Sequence, residues 1–319
     1  MEFRLIDRIR ERTAQPRADV RLGIGDDAAL LAVPAGEELA VAIDTLVEGV
    51  HFPVGTAAAE IGWKALAVNL SDLAAMGATP AWALLALTLP DAGAGFVDGL
   101  AEGFAQLARA HGVALVGGDT TRGPLSLSVA VHGFVPPGRA LTRAGAQVGD
   151  AVLVTGTLGD AAAGLRLLQG AMPFDPANEA HAFLRGRLDR PTPRVAAGLA
   201  LRGCASACID VSDGLLADVA HIAAASGVGV ELEPSALPLS GAMRAVFDDA
   251  SARALALGGG DDYELCFTVP LSRLDEVQAA LAAMGCPATR IGRVVEGEGV
   301  RAQGDRVALT QAGWDHFPG

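Results

Sequence analysis

Two kinds of apolar pattern alternate along the chain. Short runs rich in Val, Ile and Leu are separated by longer stretches in which Ala and Leu recur at helical spacing. Apolar runs of about four to eight residues read as strands, and i, i+3, i+4 spacing over about ten or more residues reads as helix. In the first half this predicts strands at Ala28–Val33, Leu39–Asp44, Trp82–Leu89, Ala114–Gly117 and Leu125–Phe134. Helices are expected at Ala57–Met76 and Gly95–His111, after an opening amphipathic helix in MEFRLIDRIRER. Pro-Pro-Gly within VPPGRALTR is the clearest break in the pattern, because these residues end helices and strands alike. It places a boundary between an N-terminal domain, residues 1–137, and a C-terminal domain, 138–319. Beyond it, strands are expected at Ala151–Thr155, Ala207–Val211, Gly229–Glu233, Tyr263–Val269 and Thr289–Val295. Helical segments are expected from near Gly159, over Ala177–Leu201, over Gly214–Ser226 and near Leu271–Ala283. Such alternation predicts a two-domain α/β (α+β) protein of layered sheets and helices.

Composition sharpens this picture. The 319 residues exceed one typical core, and 51% are hydrophobic with few aromatics, which suits well-buried α/β domains. The net charge is −13 and Lys64 is the sole lysine. With no basic stretch to collect phosphates, a general nucleic-acid or anionic-membrane binder is excluded. No apolar run reaches the roughly 18 residues of a membrane span, and the N-terminal segment lacks the apolar core of a secretory signal. Cys204, Cys208, Cys266 and Cys286 lack zinc-site spacing and read as reduced thiols of a cytoplasmic protein.

The acidic residues stand out by placement, since aspartates recur at the ends of apolar segments. GIGDDAAL holds Asp26 and Asp27 in a glycine-rich turn, and VAIDTLVEGVHF puts Asp44 directly after a strand. NLSDLAAMGA places Asp72 within an Ala/Leu helix, and VALVGGDTT puts Asp119 after a strand and two glycines. IDVSDGLLADVAHI carries Asp210 and Asp213 at a strand-to-helix junction, and GGGDDYELCF holds Asp261 and Asp262 before another strand. Some fit plain structural roles: Asp213 is a plausible helix N-cap, and Asp26 a turn cap. Asp72 is harder to explain so, because a buried carboxylate without a partner costs several kcal/mol unless it protonates or meets a cation.

If GIGDD met a phosphate directly, each carboxylate about 5 Å away would be repelled by roughly 3 kcal/mol at an effective dielectric of 20. A cation between them removes the conflict. All-oxygen acidic clusters suit Mg²⁺ or Ca²⁺, and Mg²⁺ commonly takes one or two carboxylates plus phosphate oxygens. Scattered aspartates therefore point to several Mg²⁺ ions held beside a polyphosphate. Other templates fail. The lone lysine sits in GWKAL, which rules out a P-loop, and no EF-hand loop appears. GIGDDA leads into an apolar strand-like run and does not open a helix, unlike a dinucleotide fingerprint. No G-x-S-x-G elbow or protein-kinase motif set is present.

The ordered set GIGDDAAL, DTLVEGVHF, NLSDLAAMGATPAW, GGDTTRG, ALTRAGAQVGD, VTGTLGDAAAGL, IDVSDGLLADVAHI, GGDDYELCF and GWDHF closely resembles the thiamine-monophosphate kinase family, within the aminoimidazole ribonucleotide synthetase and selenophosphate synthetase superfamily. The resemblance runs from about residue 3 to the C-terminus. It implies two α/β domains, N-terminal domains pairing into a homodimer, and ATP with several Mg²⁺ ions in a cleft between the domains. It implies ATP-dependent phosphorylation of thiamine phosphate to thiamine diphosphate. By the same resemblance Asp27, Asp44, Asp72, Asp119, Asp210 and Asp213 match metal-binding carboxylates. Gly118, Asp119, Arg143 and Ser212 match nucleotide contacts, and His51, Asp261 and Trp314 match the thiamine phosphate pocket. Two departures stand out. Ala42 and Ile43 precede Asp44 where relatives often carry Ser-Thr, and Asp261 stands where many have Glu. A selenophosphate synthetase would carry a reactive Cys in an N-terminal loop, and no cysteine precedes Cys204.

Overall fold

The computed structural model describes residues 2–91, 93–170 and 173–302. The chain divides into two compact units, Met1–Leu73 with Ala78–Gly138, and Ala74–Gly77 with Arg139–Gly319.

The first unit contains α1 (Glu2–Thr13), β1 (Val20–Leu22), β2 (Leu30–Leu31), β3 (Glu38–Val47), α2 (Ala58–Ala75), β4 (Thr79–Leu89), α3 (Ala94–His111), β5 (Ala114–Arg122) and β6 (Ser126–Val135). Its main sheet has the order β3-β6-β4-β5, with β4 and β5 parallel and the other pairs antiparallel. Residues alternate between the faces of a strand, and here the two faces differ in character. Val129, Val131, Leu85 and Leu87 are buried, as are Leu66, Leu70, Leu73, Leu100 and Phe104 of α2 and α3. On the opposite face Leu39, Val41 and Ile43 of the edge strand β3 are exposed, Ile43 at 66%. Glycine lets α2 and α3 approach closely, since a Cβ at Gly62 would fall on the Leu100 carbonyl and one at Gly103 on the Ala59 backbone.

The second unit contains β7 (Ala151–Thr155), α4 (Asp160–Leu168), α5 (Glu179–Asp189), α6 (Val195–Leu201), β8 (Ala207–Asp210), α7 (Leu215–Ser226) and β9 (Gly229–Leu232). There follow α8 (Gly241–Val246), α9 (Asp249–Gly258), β10 (Leu265–Val269), α10 (Leu274–Ala283), β11 (Ala288–Val295) and β12 (Gly299–Ala302). The six-stranded sheet runs β12-β9-β11-β7-β10-β8, antiparallel except for the β12–β9 pair. Its core joins Val152, Val154, Ile209, Val211, Cys266 and Ile291 of the sheet region to Leu167, Leu184, Leu215, Val219 and Ile222 of the helices. The four cysteines form no disulfide.

Several sequence expectations are corrected. The strand expected at Ala28–Val33 shrinks to Leu30–Leu31, which pairs with the short strand β1. The stretch Ala177–Leu201 is two helices, because Pro191 and Pro193 lie between them and proline cannot donate a helical N–H. The strand expected from Tyr263 starts at Leu265, since Asp261 and Tyr263 have φ of 68° and 51°. The strand expected at Ala114–Gly117 continues to Arg122, so Asp119 lies within a strand and not after it. Helices α8 and α9 and strands β1 and β12 fall where no element was expected.

Candidate active site

In the first unit a β-bulge sets the direction of the acidic side chain on β5. Ala83 pairs with Leu115 and Leu84 with Gly117, so Val116 is an extra residue on β5. One inserted residue reverses the in–out phase of everything after it. The continuing register aligns Asp119 with Ala86 of β4, Ser128 of β6 and Thr45 of β3, on the open face of the sheet. Gly118 makes this possible. Its φ is 150°, and a Cβ there would fall on the Leu85 carbonyl of the neighbouring strand.

Gly118 and Asp119 line a cavity of about 810 Å³ together with Asp26, Asp27, Arg10, His132 and Thr120. Asp26 and Asp27 are exposed, and the Asp27 N–H donates to Asp26 Oδ1 at 2.9 Å, so the glycine-rich turn is closed by its own first carboxylate. Burial lowers the pKa of His132 below the usual histidine value, which keeps it neutral at pH 7.

Asp44 and Asp72 lie elsewhere in this unit. Asp44 registers with Val129 and therefore belongs to the helix-covered face, opposite to Asp119. Its N–H donates to Asn69 Oδ1 at 3.0 Å, and Asn69 precedes Asp72 by about one turn of α2. Nearby, His51 Nδ1 accepts from the Val47 N–H at 3.0 Å, while the buried Lys64 Nζ donates to the His51 carbonyl at 3.0 Å. With Ala42 and Ile43 in place of hydroxyl residues, the first side-chain oxygen on this stretch of β3 is that of Asp44 itself.

In the second unit Asp210, Ser212, Asp213 and Asp261 meet at one end of the β8–β10 pair. Asp210 registers with Leu265, and beyond it the chain segments stay locked. The Val211 N–H donates to the Glu264 carbonyl, Tyr263 N–H to the Val211 carbonyl and Asp261 N–H to the Ser212 carbonyl, each at 2.8 Å. Tyr263 Oη donates to Asp261 Oδ1 at 2.9 Å. Asp213 does not cap α7. The residue before that helix is Gly214, with no side-chain cap, and the carboxylate that accepts nearby N–H groups is Asp218, from Ser212 at 3.0 Å and Asp213 at 3.2 Å. Burial, then the charges of Asp210 and Asp213, push the Asp218 carboxyl up to about 8.

The segment behind Asp261 is held by buried charge. Glu264, fully buried, accepts from Arg187 at 2.8 Å, from Arg194 at 2.6 and 2.5 Å, and from the Thr155 hydroxyl at 2.7 Å. Asp262 Oδ2 accepts from the Gly159 N–H at 2.7 Å, at the start of α4, and burial raises its pKa well above the carboxylate range. Arg143 is exposed in the loop before β7, where its carbonyl accepts from Ser226 Oγ at 3.2 Å. Trp314 lies outside the described residues.

The donors available to a cation at these places are carboxylate, hydroxyl and carbonyl oxygens, the chemistry that suits Mg²⁺. Among the described residues, no three His, Cys, Asp or Glu side chains stand close enough to enclose an ion alone. A cation here would complete its shell with ligand oxygens and water, the habit of Mg²⁺. Sequence reasoning missed Arg10, His132, Asp218 and the Asp262–Glu264 support. Asp218 was findable by the signal that singled out Asp72, an acid inside an apolar helix. Arg10 carries no local mark, since only tertiary packing brings α1 to the GIGDD turn.

The chain matches the family model for the AIR synthase related protein N-terminal domain over residues 25–135, and that for the C-terminal domain over 147–305. It is 48% identical over 319 residues to the thiamine-monophosphate kinase of Salmonella typhimurium, covering 99% of this chain and 98% of that one. The crystal structure of thiamine-monophosphate kinase from Stenotrophomonas maltophilia K279a superimposes with a TM-score of 0.89 at 55% identity, covering 95% of this chain and 96% of that one. AaThiL complexed with AMPPCP and TMP matches with a TM-score of 0.80 at 35% identity, covering 99% of this chain and 97% of that one. Among the described residues no helix is long and apolar enough to cross a membrane. Two family domains in order and full-length identity near one half have one reading: this chain belongs to the thiamine-monophosphate kinase family of phosphotransferases.

Proposed function

We propose that the protein transfers the terminal phosphoryl group of ATP to thiamine phosphate, forming thiamine diphosphate and ADP in the cytoplasm. The observation that carries this reading is the match to AaThiL, whose complex holds AMPPCP and TMP, over 99% of this chain. The acceptor is a phosphate monoester already ionised near neutral pH, so no side chain has to remove a proton. The obstacle is the approach of two anionic groups. When bound, Mg²⁺ would neutralise the charge that keeps the two phosphates apart, as in other phosphoryl transfers. Asp27, Asp44, Asp72, Asp119, Asp210 and Asp213 would hold these ions, several in number, and transfer is direct and in line with no phosphoenzyme.

The N-terminal domain, 1–137, carries most of the metal-holding carboxylates, and the C-terminal domain, 138–319, carries Arg143 and Ser212 for the nucleotide. Arg143 presents a planar fork of donors to phosphate oxygens. Asp261, with His51 and Trp314, receives the thiamine phosphate. Its carboxylate offers a counter-charge to the thiazolium, and the Asp261–Tyr263 hydrogen bond orients it. Trp314 can stack on the thiazolium or give it a cation–π contact worth ~0.5–2 kcal/mol.

The working form is a homodimer, joined through the open face of the N-terminal sheet. Leu39, Val41 and Ile43 expose an apolar row on an edge strand, a feature isolated monomers avoid. Ile43→Lys is expected to shift the protein from dimer to monomer in sedimentation at micromolar concentration.

The deciding assay offers Mg-ATP with thiamine, thiamine phosphate, an aminoimidazole precursor or selenide, and follows ADP and diphosphate formation. Diphosphate from thiamine phosphate supports the reading. Nucleotide binding without turnover on any of the four would overturn it.

A further inference from the structure

The start of α7 is occupied from inside. An α-helix of this length leaves its first N–H groups unpaired, and together with the helix dipole they attract anions. Here Gly214 supplies no side-chain cap. Asp218, in the first turn and 3% exposed, reaches back with Oδ2 to the N–H groups of Ser212 and Asp213 at 3.0 and 3.2 Å. Those two peptide groups belong to the turn that carries the Ser212 and Asp213 side chains. The opposite side of the turn is also pinned, by the Asp261 N–H on the Ser212 carbonyl at 2.8 Å. A Cβ at Gly260 would fall on the same carbonyl, so the two segments lie in direct contact.

We propose that Asp218 is a positioning residue for nucleotide binding: its carboxyl oxygen holds the Ser212–Asp213 turn in the form that meets the nucleotide and its cation. Because this oxygen already takes the two N–H groups, a phosphate does not bind them directly, and its attraction to this turn depends on a cation. The proposal rests on the function proposed above, because Ser212 and Asp213 are assigned their ligands there. Asp218 itself touches neither reactant.

The test compares Asp218→Asn, whose amide oxygen still accepts hydrogen bonds, with Asp218→Leu, which has the same heavy-atom branching and no acceptor. For the Leu variant kcat/KM for Mg-ATP is expected to fall about a hundredfold, mainly through a raised KM, as for loss of an acceptor from a buried pair of amides. The Asn variant is expected to stay within about threefold of the unmodified enzyme. Hydrogen exchange of the unmodified protein supplies a measurement independent of whether the Leu variant folds. The Ser212 and Asp213 amides should be strongly protected without nucleotide. A folded Leu variant with unchanged KM overturns the proposal. So does an Asn variant as impaired as Leu, or unprotected amides at 212 and 213. Absence of turnover by the unmodified enzyme would instead sink the functional reading, leaving amide protection to judge the geometry of Asp218.

Discussion

The two units treat their acidic residues in opposite ways. In the first, Asp26, Asp27 and Asp119 are exposed around an open cavity. In the second, Asp160, Asp218, Asp262 and Glu264 are buried, and each accepts hydrogen bonds, Asp160 from the Thr157 and Ser240 hydroxyls. A buried carboxylate is tolerated only when hydrogen-bonded, paired or protonated. An exposed one faces no such demand and can turn its oxygens to an incoming cation. The contrast teaches that the same residue type stays available to a cation where water reaches it and becomes scaffold where water does not. Asp210, buried yet flanked by half-buried Ser212 and Asp213, stands at the border between the two uses.

The largest effect should come from the donor class. Asp119→Asn, Asp72→Asn and Asp210→Asn are each expected to lower kcat/KM by about a thousandfold or more, roughly 4 kcal/mol in the barrier. Melting temperature should move little for exposed Asp119. Retained activity in all three would erase the proposed division of labour. Next, Glu264→Ala removes the shared partner of Arg187 and Arg194 and leaves two guanidinium groups without it in the interior. Breaking a buried pair costs about 3–5 kcal/mol, to be read from urea unfolding. A loss of activity with unchanged stability would move Glu264 into the donor class.

A smaller loss is expected for Gly118→Ala, because the new Cβ meets the Leu85 carbonyl and forces the strands apart. Destabilisation of about 1–3 kcal/mol should appear in the same unfolding experiment. The smallest effect belongs to the surface. Arg8, then Arg12, hold the Asp98 carboxyl at about 2 and tie α1 to α3. A depressed carboxylate stabilises above its unfolded pKa near 4, and that contribution is lost as pH falls through about 2. Asp98→Asn should therefore lower the melting temperature only slightly at pH 7, less in high salt, and not at all well below pH 2.

Much of this molecule was legible before folding. Among the described residues, the alternation of apolar runs located ten of the twelve strands and the principal helices, because burial of one face imposes a period that sequence preserves. The motif set marked the segments that carry Asp27, Asp44, Asp72, Asp119, Asp210, Asp213 and Asp261, four of them inside strands or a helix. What escaped was direction and partnership. Nothing in VALVGGDTT announces that Val116 is an inserted residue, because a bulge exists only relative to the strand beside it. Asp213 has the local look of a helix cap, yet the acceptor proved to be Asp218, four residues further on past Gly214.

The sequence by itself determined the class of layered α/β units, the family, and an all-oxygen acidic chemistry, since these depend on composition, local period and residue order. Only the tertiary structure decided that Asp119 and Asp44 face opposite sides of one sheet, that Arg10 and His132 share a cavity with the GIGDD turn, and that Glu264 and Asp218 brace the second unit. Those outcomes arise from strand register and from contacts between residues distant along the chain. Local pattern is silent there, because a one-residue shift in pairing reverses a side chain without altering a letter of the sequence.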